Sequence, residues 1–119
     1  FIIKSENLDD DYVLEMGKKI RYAYEFQPKG INVNFYRLNL KKGVEIKTYE
    51  KGVEQIMHSC ASGSAAVVFH LAQSGLISSP VTTVSKGGRL IYTFDSGWSY
   101  FLSEGPTEFL FKGEYCLAK

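Results

Sequence analysis

Cys60 stands in the run His58-Ser59-Cys60-Ala61-Ser62-Gly63-Ser64, directly before the apolar segment Ala65-Ala66-Val67-Val68-Phe69. This spacing places the thiol where a loop becomes the first turn of a helix. The N–H groups of a first turn have no intrahelical partner, and the helix dipole is positive at that end. Both features favour an anion there, either a thiolate on Cys60 or a bound carboxylate. A thiolate at such a position can move protons or attack a carbon near neutral pH. The small residues Ala61, Ser62 and Gly63 let a ligand come close to the backbone. The plain alternative is a buried, inert cysteine.

The other groups with chemical potential are fewer. Asn32 and Asn34 lie in Ile31-Asn32-Val33-Asn34-Phe35, a strand pattern with its apolar residues on one side. Asparagine is a poor strand former, so each is either an amide offered to a polar ligand or a solvent-facing edge residue. Glu50 and Lys51 end a second strand pattern, Val44, Ile46 and Thr48, which follows a turn at Lys41-Lys42-Gly43. A hairpin of these two segments brings Asn32 and Glu50 to the same end of a sheet. His58 precedes Cys60 closely enough to tune it or touch a substrate, and fits a surface loop equally well. His70 reads as a core histidine and Cys116 as a buried apolar filler. Their spacing with Cys60 makes no metal site.

Several elements must position these groups. Phe1-Ile2-Ile3 is a short strand. Asp9-Asp10-Asp11 starts a helix carrying Val13, Met16, Ile20 and Tyr24 on one face and Lys18, Lys19 and Arg21 near its end. Pro28-Lys29-Gly30 breaks the chain before the asparagine strand. The helix from about Ser62 to Ser74 is apolar all round, which predicts a central, buried helix ending at Gly75. After Pro80, strands are expected over Val81 to Lys86, Leu90 to Asp95, Trp98 to Ser103 and Thr107 to Lys112, separated by glycine turns. Trp98 and its neighbouring aromatics read as core. The expected architecture is α+β: a curved, mostly antiparallel sheet or barrel around one buried helix, with an amphipathic helix outside.

The chain has 119 residues, 14 Lys and Arg against 13 Asp and Glu, and two cysteines. That length suits a single domain with its own core. The near-balanced charge, with no basic stripe, argues against nucleic acid. The apolar run Ala65 to Ala72 is too short to span a bilayer, so no membrane is expected. No signal peptide is visible, both cysteines read as reduced, and the expected compartment is the cytoplasm. The start at Phe1, already within a strand pattern, reads as a fragment or a processed piece.

Four motifs occur together in order: Gly-Ile-Asn-Val-Asn-Phe at 30–35, Tyr-Glu-Lys-Gly-Val-Glu at 49–54, Ser-Cys-Ala-Ser-Gly-Ser-Ala-Ala at 59–66, and Gly-Pro-Thr-Glu-Phe-Leu-Phe-Lys-Gly-Glu at 105–114. Each is weak alone. As a set covering almost the whole chain, they resemble the C-terminal half of diaminopimelate epimerase, a cofactor-independent amino-acid epimerase that uses two cysteines. The resemblance implies that residues 1–119 form one domain, the second half of a two-domain pseudo-symmetric enzyme. It makes Cys60 one of the two acid/base cysteines. Asn32 would hydrogen-bond the substrate, Glu50 would take its distal ammonium, and Lys51 would stand where the family has a carboxylate-gripping arginine. The backbone N–H groups of Ala61 and Ser62 would hold carboxylate charge. The reaction implied is interconversion of LL- and meso-diaminopimelate in lysine and peptidoglycan-precursor synthesis, without pyridoxal phosphate or metal.

Two departures bear on specificity. Lysine cannot make arginine's planar bidentate contact to a carboxylate. The family's Cys-Gly-Thr-Gly is Cys60-Ala61-Ser62-Gly63 here, and Ala61 restricts the backbone where glycine is free. The second cysteine belongs to the family's first domain, and Cys116 lacks the small-residue helix start needed to replace it. The isolated chain is therefore expected to be inactive, its partner being that N-terminal domain; a homodimer is also open. Three other readings stand beside this one: a racemase of another amino acid, a non-catalytic binding domain of the same fold, and a hotdog-like thioester module.

Overall fold

The alternating segments around Val33 and Val44 become two long neighbouring strands, and the rest of the chain packs on them. The computed structural model describes residues 1–117. Its elements are β1 (Ile2–Lys4), α1 (Asp10–Arg21), a 3₁₀ turn (Tyr24–Phe26), β2 (Val33–Asn39), β3 (Gly43–Glu50), β4 (Gln55–Met57), α2 (Ala61–Gln73), β5 (Val81–Ser85), β6 (Gly88–Phe94) and β7 (Phe101–Glu104). The strands form one mixed sheet in the order β1-β2-β3-β5-β6-β7, with β4 also paired to β3. One edge of β3 is divided: Val44 and Glu45 pair with β5, whereas Thr48, Tyr49 and Glu50 pair with β4. The β1–β2 and β3–β5 pairings are parallel and the other four are antiparallel.

Strand alternation gives the central sheet two apolar faces. Val33, Phe35 and Tyr49 pack with Val13 of α1 on one side. Tyr36, Val44 and Ile46 pack with Val67 and Leu71 of α2 on the other. Val13, Val33, Phe35, Val67 and Leu71 are fully buried. Each such side chain contributes about 1.5–3 kcal/mol relative to exposure. The α+β architecture, the outer amphipathic α1 and the hairpin of β2 and β3 are as the sequence implied. Gly75, at φ +69, ends α2 as expected, and the Leu76 N–H closes the terminus by donating to the Leu71 carbonyl.

Several expectations are corrected. The sheet is open and forms no barrel. Helix α2 is buried along Gly63, Ser64, Val67, Val68 and Leu71 only; Phe69 is 48 % exposed, and His70 is exposed and so is no core histidine. Helix α1 stops at Arg21, leaving Tyr24 in the 3₁₀ turn and in water. The strand expected from Trp98 begins at Phe101, because Asp95 caps the preceding turn by accepting the Ser99 N–H and hydroxyl, both at 2.7 Å. Thr107 to Lys112 forms no strand: the segment leaves the sheet after β7, and Phe109, Leu110 and Phe111 are exposed. Cys116 is exposed and fills no apolar space. Between the end of β3 and Cys60, where the sequence shows no strand pattern, Gln55 to Met57 forms strand β4. Among the described residues, no helix is long and apolar enough to cross a membrane.

Candidate active site

The N-terminus of α2 is docked on the sheet through a buried polar pair. Asn34 and Thr48 are register partners on β2 and β3, and the Thr48 hydroxyl donates to Asn34 Oδ1 at 2.8 Å. Asn34 Nδ2 donates to the Phe1 carbonyl at 3.3 Å. Both residues face α2 and both are nearly inaccessible. Here the pairing answers why an asparagine sits in a strand: its amide is satisfied by the sheet itself. Gly63 lies directly over the pair. A Cβ at Gly63 would come 2.9 Å from Thr48 Oγ1 and 3.2 Å from Cys60 Sγ, so only glycine lets the helix approach this closely.

Cys60 is the N-cap of α2, with extended backbone at φ −137 and ψ 99. Its sulfur accepts the Gly63 N–H at 3.4 Å and lies 3.5 Å from Ser62 Oγ. The thiol is half-buried and stays beside the free N–H groups of the first turn, including those of Ala61 and Ser62. Two tethers from the β5–β6 hairpin fix this turn. The Tyr92 hydroxyl donates to the Ala61 carbonyl at 2.9 Å. The Gly87 N–H, in the β5–β6 turn, donates to the His58 carbonyl at 2.6 Å. Burial holds the Tyr92 phenol above its ordinary range, opposed by a hydrogen bond with Ser64 and reinforced by charge at Cys60.

The same register carries the other candidates to this end of the sheet. Asn34 pairs with Thr48, so two residues along the same face Asn32 stands opposite Glu50, at the end of the ladder. The Lys51 N–H donates to Asn32 Oδ1 at 2.8 Å, leaving the Asn32 amide nitrogen available. The register thus carries Cys60, Ala61, Ser62, Asn32 and Glu50 to the α2 side, while Lys51 follows β3 in an exposed turn and reaches this end through its backbone N–H. The side chain of His58 is exposed, and its backbone carbonyl does the anchoring. Among the described residues, no cluster of His, Cys, Asp or Glu could hold a metal ion.

Sequence reasoning missed three supports. Tyr92 reads as core because alternation marks its ring and not its hydroxyl. Thr48 reads as an ordinary strand residue. Glu54 and Arg21 are 33 positions apart, and only folding pairs them, at 3.1 Å.

Comparison with known proteins adds the deciding observation. Over 112 residues the chain is 37 % identical to diaminopimelate epimerase of Hydrogenobaculum sp. (strain Y04AAS1), covering 93 % of this chain and 40 % of that protein. It is 38 % identical over 112 residues to diaminopimelate epimerase of Methanothrix thermoacetophila, covering 94 % of this chain and 38 % of the relative. The chain is a relative of the diaminopimelate epimerases. The Aquifex aeolicus enzyme of that name is 33 % identical over 92 residues, 76 % of this chain and 33 % of its own length. The chain thus spans between a third and two-fifths of these epimerases. No protein-family model matches. A Bacillus anthracis phenazine biosynthesis protein of the PhzF family shares the fold, with a TM-score of 0.61 at 15 % identity over 82 % of this chain and 31 % of that one.

Proposed function

We propose that this chain is one half of the active site of a cofactor-independent amino-acid epimerase, with Cys60 as one of its two acid/base groups. The observation that carries the reading is the thiol at the N-cap of α2, beside free backbone donors and on the same side of the sheet as Asn32 and Glu50. In the proposed reaction one thiolate removes the substrate α-proton while a thiol on the opposite face delivers another, so configuration changes with no net oxidation. The substrate is an amino acid, diaminopimelate in the first instance. Asn32 and Glu50 bind its distal end, and the N–H groups of Ala61 and Ser62 hold carboxylate charge where it develops.

A carbon acid this weak is deprotonated in a dry, closed site, and the chain by itself leaves Cys60 half open. The outer side of α2 presents Ala65, Ala66 and Phe69 beside Trp98 and Phe101. Beyond β7, Phe109, Leu110, Phe111 and Tyr115 are also exposed. An apolar surface of this extent favours a covering body, and the proposed one is the N-terminal half of the same enzyme, which supplies the second cysteine. The chain is the C-terminal half of that two-domain protein and is inactive alone. Lys51 favours a second reading, a racemase of another amino acid, because its ammonium grips a carboxylate as a point charge and not as a fork.

The test uses the full-length protein in deuterated water, with LL-diaminopimelate and a panel of L-amino acids, following α-proton exchange by NMR. Exchange with diaminopimelate that disappears in Cys60→Ser supports the assignment. Exchange with another amino acid moves the substrate. Ligand binding indifferent to Cys60→Ser, with no exchange of any substrate, refutes the enzyme reading in favour of a binding domain.

A further inference from the structure

Asn32 precedes the first residue of β2 and Lys51 follows the last residue of β3, so neither is held by the strand ladder. Something else must set their geometry. Arg21, in the last turn of α1, has a side chain only 12 % exposed. Its guanidinium lies against Gly30, whose φ of +64 and missing Cβ leave the space it fills. Arg21 Nε donates to Glu54 Oε1 at 3.2 Å, and Nη2 lies 3.1 Å from the same oxygen as an ion pair. The same oxygen accepts the Gly52 N–H at 3.1 Å. The Glu54 N–H donates to the Glu50 carbonyl at 2.8 Å, and the Lys51 N–H returns to Asn32 Oδ1 at 2.8 Å. The path is closed: Arg21 to Glu54, through the turn to Lys51, across to Asn32, and back by Gly30 to Arg21.

We propose that Arg21 and Glu54 are a positioning pair that fixes the Glu50-Lys51-Gly52 turn against Asn32, and so sets the subsite for the far end of the substrate. The assignment of that subsite rests on the function proposed above; the brace itself does not. Glu54 adopts φ 60, a left-handed conformation that non-glycine residues enter only when their surroundings hold them there. Its second oxygen, Oε2, is buried, and the Tyr22 and Tyr49 hydroxyls also approach the carboxylate. Oε1 joins the turn to α1, since it takes both the Gly52 N–H and the Arg21 Nε–H. Partly buried ion pairs are best attested as devices that fix geometry.

Glu54→Gln and Arg21→Lys are the variants, read in the full-length protein by amide hydrogen exchange and by steady-state kinetics. Exchange at Lys51 and Gly52 is expected to accelerate about tenfold in Glu54→Gln, the equilibrium worth of one weakened charge-assisted bond. Amides of the β5–β6 hairpin should be unchanged, which separates a loosened turn from general unfolding. With substrate, KM is expected to rise about tenfold with kcat little altered, the signature of lost ground-state binding. Arg21→Lys should show a smaller rise, because it keeps the charge and loses the fork. Unchanged exchange at Lys51 and Gly52 overturns the brace. Faster exchange with unaltered KM overturns its role at the subsite. A wild-type protein that turns over no amino acid refutes the function proposed above, and the exchange measurement still decides the brace.

Discussion

Gly63→Ala tests how closely α2 must approach the sheet. On helix propensity alone the substitution favours folding by about 1 kcal/mol. The site opposes it, since the new methyl would lie 2.9 Å from Thr48 Oγ1 and nearer still to Asn34 Oδ1. Overpacking a filled site costs about 1–3 kcal/mol. Separating the buried Thr48–Asn34 hydrogen bond adds about 1–3 kcal/mol. The helix cannot retreat cheaply, because the Tyr92 hydroxyl holds the Ala61 carbonyl at 2.9 Å. The balance is a destabilisation of about 3 kcal/mol, or a fall of roughly 10 °C in Tm for a chain of this size. Urea unfolding should show a lower midpoint at unchanged m-value. In an Asn34→Ala background the penalty should shrink, since the main obstacle is gone, giving a non-additive double-mutant cycle. A Gly63→Ala chain as stable as its parent, or more stable, would refute the close-approach argument.

Tyr92→Phe removes the hydroxyl that ties the Ala61 carbonyl to β6 and leaves that carbonyl with its intrahelical bond alone. A loss of about 1–2 kcal/mol is expected by urea unfolding, and no change would mean that water replaces the phenol freely. Acid sensitivity follows from Glu45, whose carboxyl is held below its usual range first by the Arg37 hydrogen bond and then, against some burial, by the Arg37 charge and Asn39. Because the folded-state value is depressed, the stabilisation is full above the ordinary value of 4.5 and is lost as pH falls through the folded one. The unfolding midpoint of Glu45→Gln should therefore fall less steeply than that of the parent below about pH 4.5. Parallel slopes would show that the pair is open to solvent and contributes nothing.

Much of the scaffold was legible because periodicity reports directly on burial. The alternation in Val33 and Phe35, and in Val44 and Ile46, identified the paired strands, and the spacing of Val13, Met16 and Ile20 identified α1. The misjudged burials share one cause. An apolar segment announces that it will be covered without saying by what. Helix α2 reads as buried all round, yet within this chain the sheet covers one side only, leaving Phe69 and His70 exposed. Thr107 to Lys112 has the composition of a strand, but it pairs with neither edge of the open sheet. Cys116, read as filler, lies on the same unpaired stretch.

The residue types by themselves determined the chemistry on offer: a thiol followed by small residues at a helix start, two amides in a strand, and an acid-lysine pair at a strand end. Local forces suffice for that much, since caps, turns and alternation depend on neighbours a few positions away. Tertiary structure alone decided what faces what. The register pairing Asn34 with Thr48 sets Asn32 opposite Glu50, and the contact of Gly63 with that pair carries Cys60 to the same side. Arg21 reaches Glu54 only because α1 packs across β2 and β3. These relations join residues 14 to 33 positions apart, and their partners are chosen by sheet register and helix docking, which act over distances no local pattern records.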